Sequence, residues 1–364
     1  DAFPFVEGLC ALAGEIRAVL GAGTKISYGA DWSEYFGHQP ADGSGDVFFH
    51  LDPFWAHGEV DAVAIHNYMP LSDWRDEDHA GGNPDGFVEP YDRAGMAAQV
   101  AGGEGFDWFH ASEADRLVRA RSPIADGAQG KHWVFRYKDL IGWWENAHFN
   151  RPGGSEAATP TAWVPRGKPI WFTELGCPAV DKGPNQPNVF PDPKSSENAA
   201  PHFSSKGRSD LAQRRFIEAH QAHWDEAHPE FEAANNPTSD VYAGRMVDAA
   251  RAALWAWDAR PFPAFPMRGD VWADGDNWQL GHWLNGRLSG VALSDLIDAV
   301  MKDHGLPAAD TTRVAGTLSG YVVDDPATAR ASLEPLVELF GLSARERDGK
   351  LVFGQEALGG APIT

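Results

Sequence analysis

The run Lys168-Pro169-Ile170-Trp171-Phe172-Thr173-Glu174-Leu175-Gly176 places a single acid at the end of an apolar, aromatic stretch. A carboxylate there is costly unless it is used or paired. Cleavage of a glycosidic bond needs two carboxyl groups, one giving a proton to the leaving oxygen and one attacking the anomeric carbon or activating water. Glu174 suits the second task, and the plain alternative is an ion pair with a neighbouring arginine. Asp31 and Glu34 follow another apolar run, and Asp258 follows a third. These acids are candidates for holding substrate hydroxyls or orienting Glu174, against the simpler role of solvated loop acids that cap a following helix. His66-Asn67-Tyr68 closes a fourth run, where a tyrosine hydroxyl can donate a hydrogen bond to the nucleophilic carboxylate. Trp32, Trp171 and Trp257 lie beside these polar positions and are candidate faces for sugar stacking.

The elements that must position these residues follow from periodicity. Val6, Leu9, Leu12, Ala13, Ile16, Val19 and Leu20 have the spacing of an amphipathic helix, with Gly21 and Gly23 as its stop. Strands are expected over residues 24–30, 60–65, 169–173 and 249–257, and a helix over 208–224. A helix delivering a strand with polar residues at its end is the unit of a (β/α) fold, whose strand ends converge on one mouth. Four such strands make half a barrel, so the remaining strands are expected before Asp1 or from a partner. Residues 70–166 form a long connection with helices near 112–121 and 137–146, and connections of that length are usually functional. The loop over 178–207 carries Pro178, Pro184, Pro187, Pro191 and Pro193 and should form part of the mouth's rim.

Near Asp270 the texture changes. Trp272, Trp278 and Trp283 punctuate a polar connector, and residues 293–304 read as an amphipathic helix with Ser294 as its cap. Residues 320–323 are strand-like, 327–340 helical despite Pro335, and Gly349-Lys350 turns into a strand at 351–353. The expected fold is therefore α/β: the C-terminal half of a (β/α)8 TIM-barrel-like domain over residues 1–285, then a small α+β domain over 286–364.

Composition narrows the function. The chain is 43% hydrophobic and 23% charged, enough for a sizeable core. Fifteen tryptophans and twenty phenylalanines suit sugar stacking, although core packing accounts for most rings of these types. A net charge of −22 excludes a phosphate-backbone binder, so no nucleic-acid partner is expected. No apolar run is long enough for a membrane span, and no secretory leader pattern opens the chain. Cys10 and Cys177 make no disulfide framework. The histidines and cysteines lack zinc spacing, and Gly102-Gly103-Glu104-Gly105 reads as a turn rather than a phosphate loop, so neither metal nor cofactor is expected.

Several segments resemble the last four strands of the clan of retaining glycosidases that includes β-mannanase-like enzymes. They are Tyr28-Gly29-Ala30-Asp31-Trp32-Ser33-Glu34-Tyr35, Ile65-His66-Asn67-Tyr68-Met69-Pro70-Leu71, Trp171-Phe172-Thr173-Glu174-Leu175-Gly176 and Trp255-Ala256-Trp257-Asp258. The resemblance implies a nucleophilic Glu on the seventh strand at Glu174 and a sixth-strand tyrosine at Tyr68. The clan's proton donor lies on the fourth strand. The chain as written is expected to begin just after it, and loss of a general acid costs about 10²- to 10⁴-fold in rate.

Three further segments resemble the barrel-like domain of the large baseplate hub protein of gene transfer agents and related tailed phages. They are Ser72-Asp73-Trp74-Arg75-Asp76, Gly176-Cys177-Pro178-Ala179-Val180-Asp181-Lys182-Gly183 and Trp272-Ala273-Asp274-Gly275-Asp276-Asn277-Trp278. Residues 293–353 are similar to the beginning of the tail-hub domain that follows the barrel in those proteins. The resemblance implies a glycoside-hydrolase-like barrel in a phage-like particle tail, assembled in the bacterial cytoplasm. Its implied partners are a host envelope or capsule polysaccharide and other tail or baseplate proteins, and tail hubs of this kind are commonly homotrimers. A non-catalytic carbohydrate-binding or structural barrel is the alternative, and a free-standing secreted glycosidase a third.

Overall fold

The computed structural model describes residues 3–196, 198–258, 260, 263–280, 284–285, 291–318, 321, 323 and 326–355. Of Trp257, Asp258, Leu284 and Asn285 it describes the backbone alone. The chain falls into two compact units, Asp1–Arg208 with Ala212–Gly286 and Ser209–Leu211 with Arg287–Thr364.

The first unit opens with helix α1 (Pro4–Leu20), which buries Val6 and Ala13. Proline is tolerated in the first turn because the N–H it lacks has no intrahelical partner there. Gly21, at φ 74°, ends the helix, a conformation that only glycine adopts readily. Regular strand pairing begins at β1 (Gly29–Asp31), later than the expected start at residue 24. The cause is Asp61, whose carboxylate takes the Ile26 N–H at 2.8 Å while its own N–H donates to the Ile26 carbonyl at 2.8 Å.

Strand β2 (Val63–Asn67) pairs in parallel with β1, Gly29 opposite Ala64 and Asp31 opposite His66. Strand β3 (Ile170–Leu175) pairs in parallel with β2, giving the order β1-β2-β3. Residues 246–255 extend the sheet through parallel bridges Ile170–Val247 and Leu175–Leu254. The strand expected over 249–257 is not continuous: Ala249–Arg251 is a 3-10 turn, with the Asp248 side chain accepting from the Ala250 N–H. Two alanines after a capping aspartate favour a turn over an extended strand. Beyond it, β4 (Trp257–Asp258) pairs in parallel with β5 (Leu284–Asn285). Helix α2 (Asp210–Trp224) covers one face of the sheet, His220 and Trp224 standing edge-on to Phe172 at 6.1 and 6.0 Å.

The long connection over residues 70–166 has a core of its own, with Trp74, Trp143 and Trp144 at 0–1% exposure. Its helices Arg93–Gln99, Glu113–Leu117 and Leu140–Glu145 are each capped by a side chain, from Asp92, Ser112 and Asp139. The last two are shorter than expected. At its centre the buried Asp73 carboxylate meets Arg121 at 3.0 Å and Arg75 and Arg119 at 3.4 Å. The buried Lys138 ammonium donates to the carbonyls of Pro70, Gln99 and Gly102, so the chain just past β2 is tied to the connection.

In the second unit β6 (Val291–Ala292) pairs antiparallel with β8 (Thr317–Leu318), and β7 (Asp310–Arg313) lies between them in sequence. Helices α3 (Leu293–Asp303) and α4 (Ala329–Phe340) pack with β9 (Leu342–Arg347) and β10 (Lys350–Gln355) around Leu293, Ile297, Leu333, Leu336 and Phe353. Strand β10 runs antiparallel to β9 and parallel to β7. Ser294 does not cap α3, whose N-cap is Ala292 without a side-chain bond; Thr328 caps α4. The strand expected at 320–323 falls partly outside the described residues, and the pairing observed is at Thr317–Leu318. Trp283 lies outside them too.

Burial opposes the charged form of Asp61, but hydrogen bonds from Lys25, the Ile26 N–H and Arg17 outweigh it and hold the pKa at about 2, against an ordinary 3.8. The contribution is complete above the unfolded value and fades as pH falls toward 2. Urea unfolding at pH 5 and pH 2.5 should show the wild type losing this increment on acidification, with Asp61→Asn lacking it at both pH values.

Candidate functional site

Side chains opposite one another in parallel strands point to the same face, so the register of β1, β2 and β3 sets who meets whom. Asp31 stands opposite His66, and His66 opposite Glu174, one row across three strands at their carboxyl ends. Glu174 joins that row through an irregularity. Ile65 pairs with Phe172 and His66 with Glu174, so Thr173 is an extra residue on β3. Strict alternation would put Glu174 on the face of Phe172, against α2. One inserted residue switches it to the face of Trp171, Ala64 and His66.

Tyr68, two residues beyond His66, donates its hydroxyl to Glu174 Oε2 at 2.6 Å. His66 Nε2 stands 3.7 Å from the other oxygen, Oε1, beyond normal hydrogen-bond length. No lysine or arginine pairs with Glu174 among the described residues, so the ion-pair alternative is not what the structure shows. Burial, then the Glu174 carboxylate, then the Asp31 charge push the Tyr68 phenol far above its ordinary range. It therefore stays a protonated donor, and among the described residues no hydrogen bond reaches Oε1 of this part-exposed carboxylate. Such an oxygen can attack an electrophilic carbon or accept from a ligand hydroxyl.

The other candidate positions divide. Asp31 is exposed, and its Oδ1 accepts from the Ser33 N–H at 2.8 Å and the Ser33 hydroxyl at 2.6 Å. Trp32 packs its ring 4.6 Å from that of Tyr137. Trp171 lies on Glu174's face, opposite Ala64, with the Arg251 guanidinium 5.3 Å above its ring. Asn67 pairs with Leu175 and so faces the opposite side; it is buried, and its Oδ1 accepts from the Met69 N–H. The side chains of Trp257 and Asp258 lie outside the described residues. Glu34 meets Tyr28, whose hydroxyl is 3.3 Å away, and His50 at 3.9 Å.

Sequence reasoning did not single out Phe190 or Gly29. Phe190, in the proline-rich loop, stands edge-on to Tyr68 at 6.1 Å, and no local pattern marks it. The glycine inside an apolar strand was the available signal for Gly29. Among the described residues no group of three or more His, Cys, Asp or Glu side chains could hold a metal ion, and no helix is long and apolar enough to cross a membrane.

Parallel strands with chemistry gathered at their carboxyl ends, beside a helix covering the outer face, define a TIM-barrel-like α/β protein. The family model of the GTA TIM-barrel-like domain, that of gene transfer agents, matches residues 1–266, and the chain belongs to this family. No curated protein matches it.

Replacing Tyr68 with Phe should cost about 1 kcal/mol, as expected for one partly exposed hydrogen bond to a charged group. The same urea titration on Tyr68→Phe in a Glu174→Gln background should show a smaller loss, because the acceptor's charge is gone.

Proposed function

We propose that this chain is a tail-tip or baseplate hub component of a gene transfer agent or related phage-like particle, whose barrel-like unit engages a host envelope or capsule glycan. Glu174 is the nucleophile in this reading, Tyr68 fixes its orientation, and Asp31, Trp32 and His66 line the sugar-facing side. The observation that carries it is the pairing of Glu174 with a neutral tyrosine donor instead of a cation. A neutral donor on one oxygen fixes the carboxylate's orientation, and the other oxygen, without a hydrogen bond among the described residues, suits attack on an electrophilic carbon. The second unit serves in this reading as the start of a hub domain that joins the barrel to other tail proteins.

The second reading is a non-catalytic, carbohydrate-binding barrel, favoured by the exposed Asp31 of the same row. Its Oδ1 already accepts from the Ser33 N–H and hydroxyl, an acceptor arrangement that suits a ligand hydroxyl rather than proton donation.

A panel of purified bacterial capsule and envelope polysaccharides, incubated with wild type and with Glu174→Gln, separates the two. Catalysis requires reducing-end release that falls roughly 10³-fold or more in the variant. Retained binding with no release by either protein supports the carbohydrate-binding barrel, and neither binding nor release overturns the glycan reading.

A further inference from the structure

We propose that Gly29 is a positioning residue of the site: its missing side chain forms the notch that seats the His66 imidazole beside the open oxygen of Glu174. The proposal rests on the reading of Glu174 as the sugar-facing carboxylate.

Gly29 begins β1, where a glycine weakens a strand because it adds backbone freedom and packs nothing. Its backbone is not in the left-handed region, so no turn demands it. What demands it is space. A Cβ at position 29 would lie 2.4 Å from His66 Nε2 and 3.2 Å from both Cδ2 and Cε1, so its three nearest neighbours all belong to the imidazole. Movement toward Glu174 closes on a carboxylate already held by Tyr68, since the same Nε2 stands 3.7 Å from Glu174 Oε1. Among the described residues, the register brings Glu174 and Asp31 into the same row as His66. Any larger residue at 29 pushes the imidazole out of this row and changes what the open oxygen of Glu174 faces.

The test uses the full chain with isotope-labelled histidine. In the Gly29 protein, Glu174→Gln should move the His66 ring resonances; in Gly29→Ala the same replacement should leave them unmoved. Gly29→Ala should also lower the melting temperature, and Gly29→Ala/His66→Ala should recover it, because the clash partner is gone. Persistence of the Glu174-dependent shift in Gly29→Ala overturns the proposal, as does a double variant no more stable than Gly29→Ala. Neither readout involves a glycan, so a Glu174→Gln protein that still releases sugar would remove the proposed function without deciding the role of Gly29.

Discussion

In a parallel sheet the direction of each side chain is set by counting from its paired neighbour, and the site depends on that count at β3. Phe172 must face α2, where its ring meets His220 and Trp224. Glu174, two residues later, would follow it into that apolar layer. An unpaired carboxylate there would carry the desolvation cost of a buried charge with no cation to offset it. The extra residue at Thr173 removes the conflict, because the phenylalanine stays with the helix and the acid turns to His66 and Tyr68.

Once on that face, the carboxylate is held by a phenol and, among the described residues, by no lysine or arginine. A guanidinium would have satisfied both oxygens in a fork and left neither for chemistry. A phenol satisfies one. The loops enforce this arrangement from outside the sheet: Lys138 ties the carbonyl of Pro70, two residues past Tyr68, to the long connection, and Phe190 stands against the Tyr68 ring. The charged web around Asp73 fits the same logic. Buried ion pairs of this kind add little net stability against an apolar alternative, but breaking one leaves an uncompensated charge.

Much of this was legible in order and type. The helix over residues 4–20, the parallel strands ending in His66-Asn67-Tyr68 and Glu174, the helix ending at Trp224 and the helix beginning at Leu293 all leave local patterns in the sequence. Strand limits were less legible. Asp61 competes for the backbone of Ile26, and Asp248 turns two alanines into a 3-10 turn, and both effects come from one polar side chain rather than from a pattern.

The amino-acid sequence by itself determined that acids and a tyrosine would stand at the ends of apolar strands, because hydrophobic runs and their polar stops are local. Which way those residues face was decided only by the tertiary structure. Asn67 and His66 are neighbours in the chain and fall on opposite faces, and Glu174 reaches the face of His66 through an insertion visible only in the pairing of β3 with β2. Space for the His66 ring likewise depends on Gly29, thirty-seven positions earlier, and only the register of β1 with β2 brings the two together.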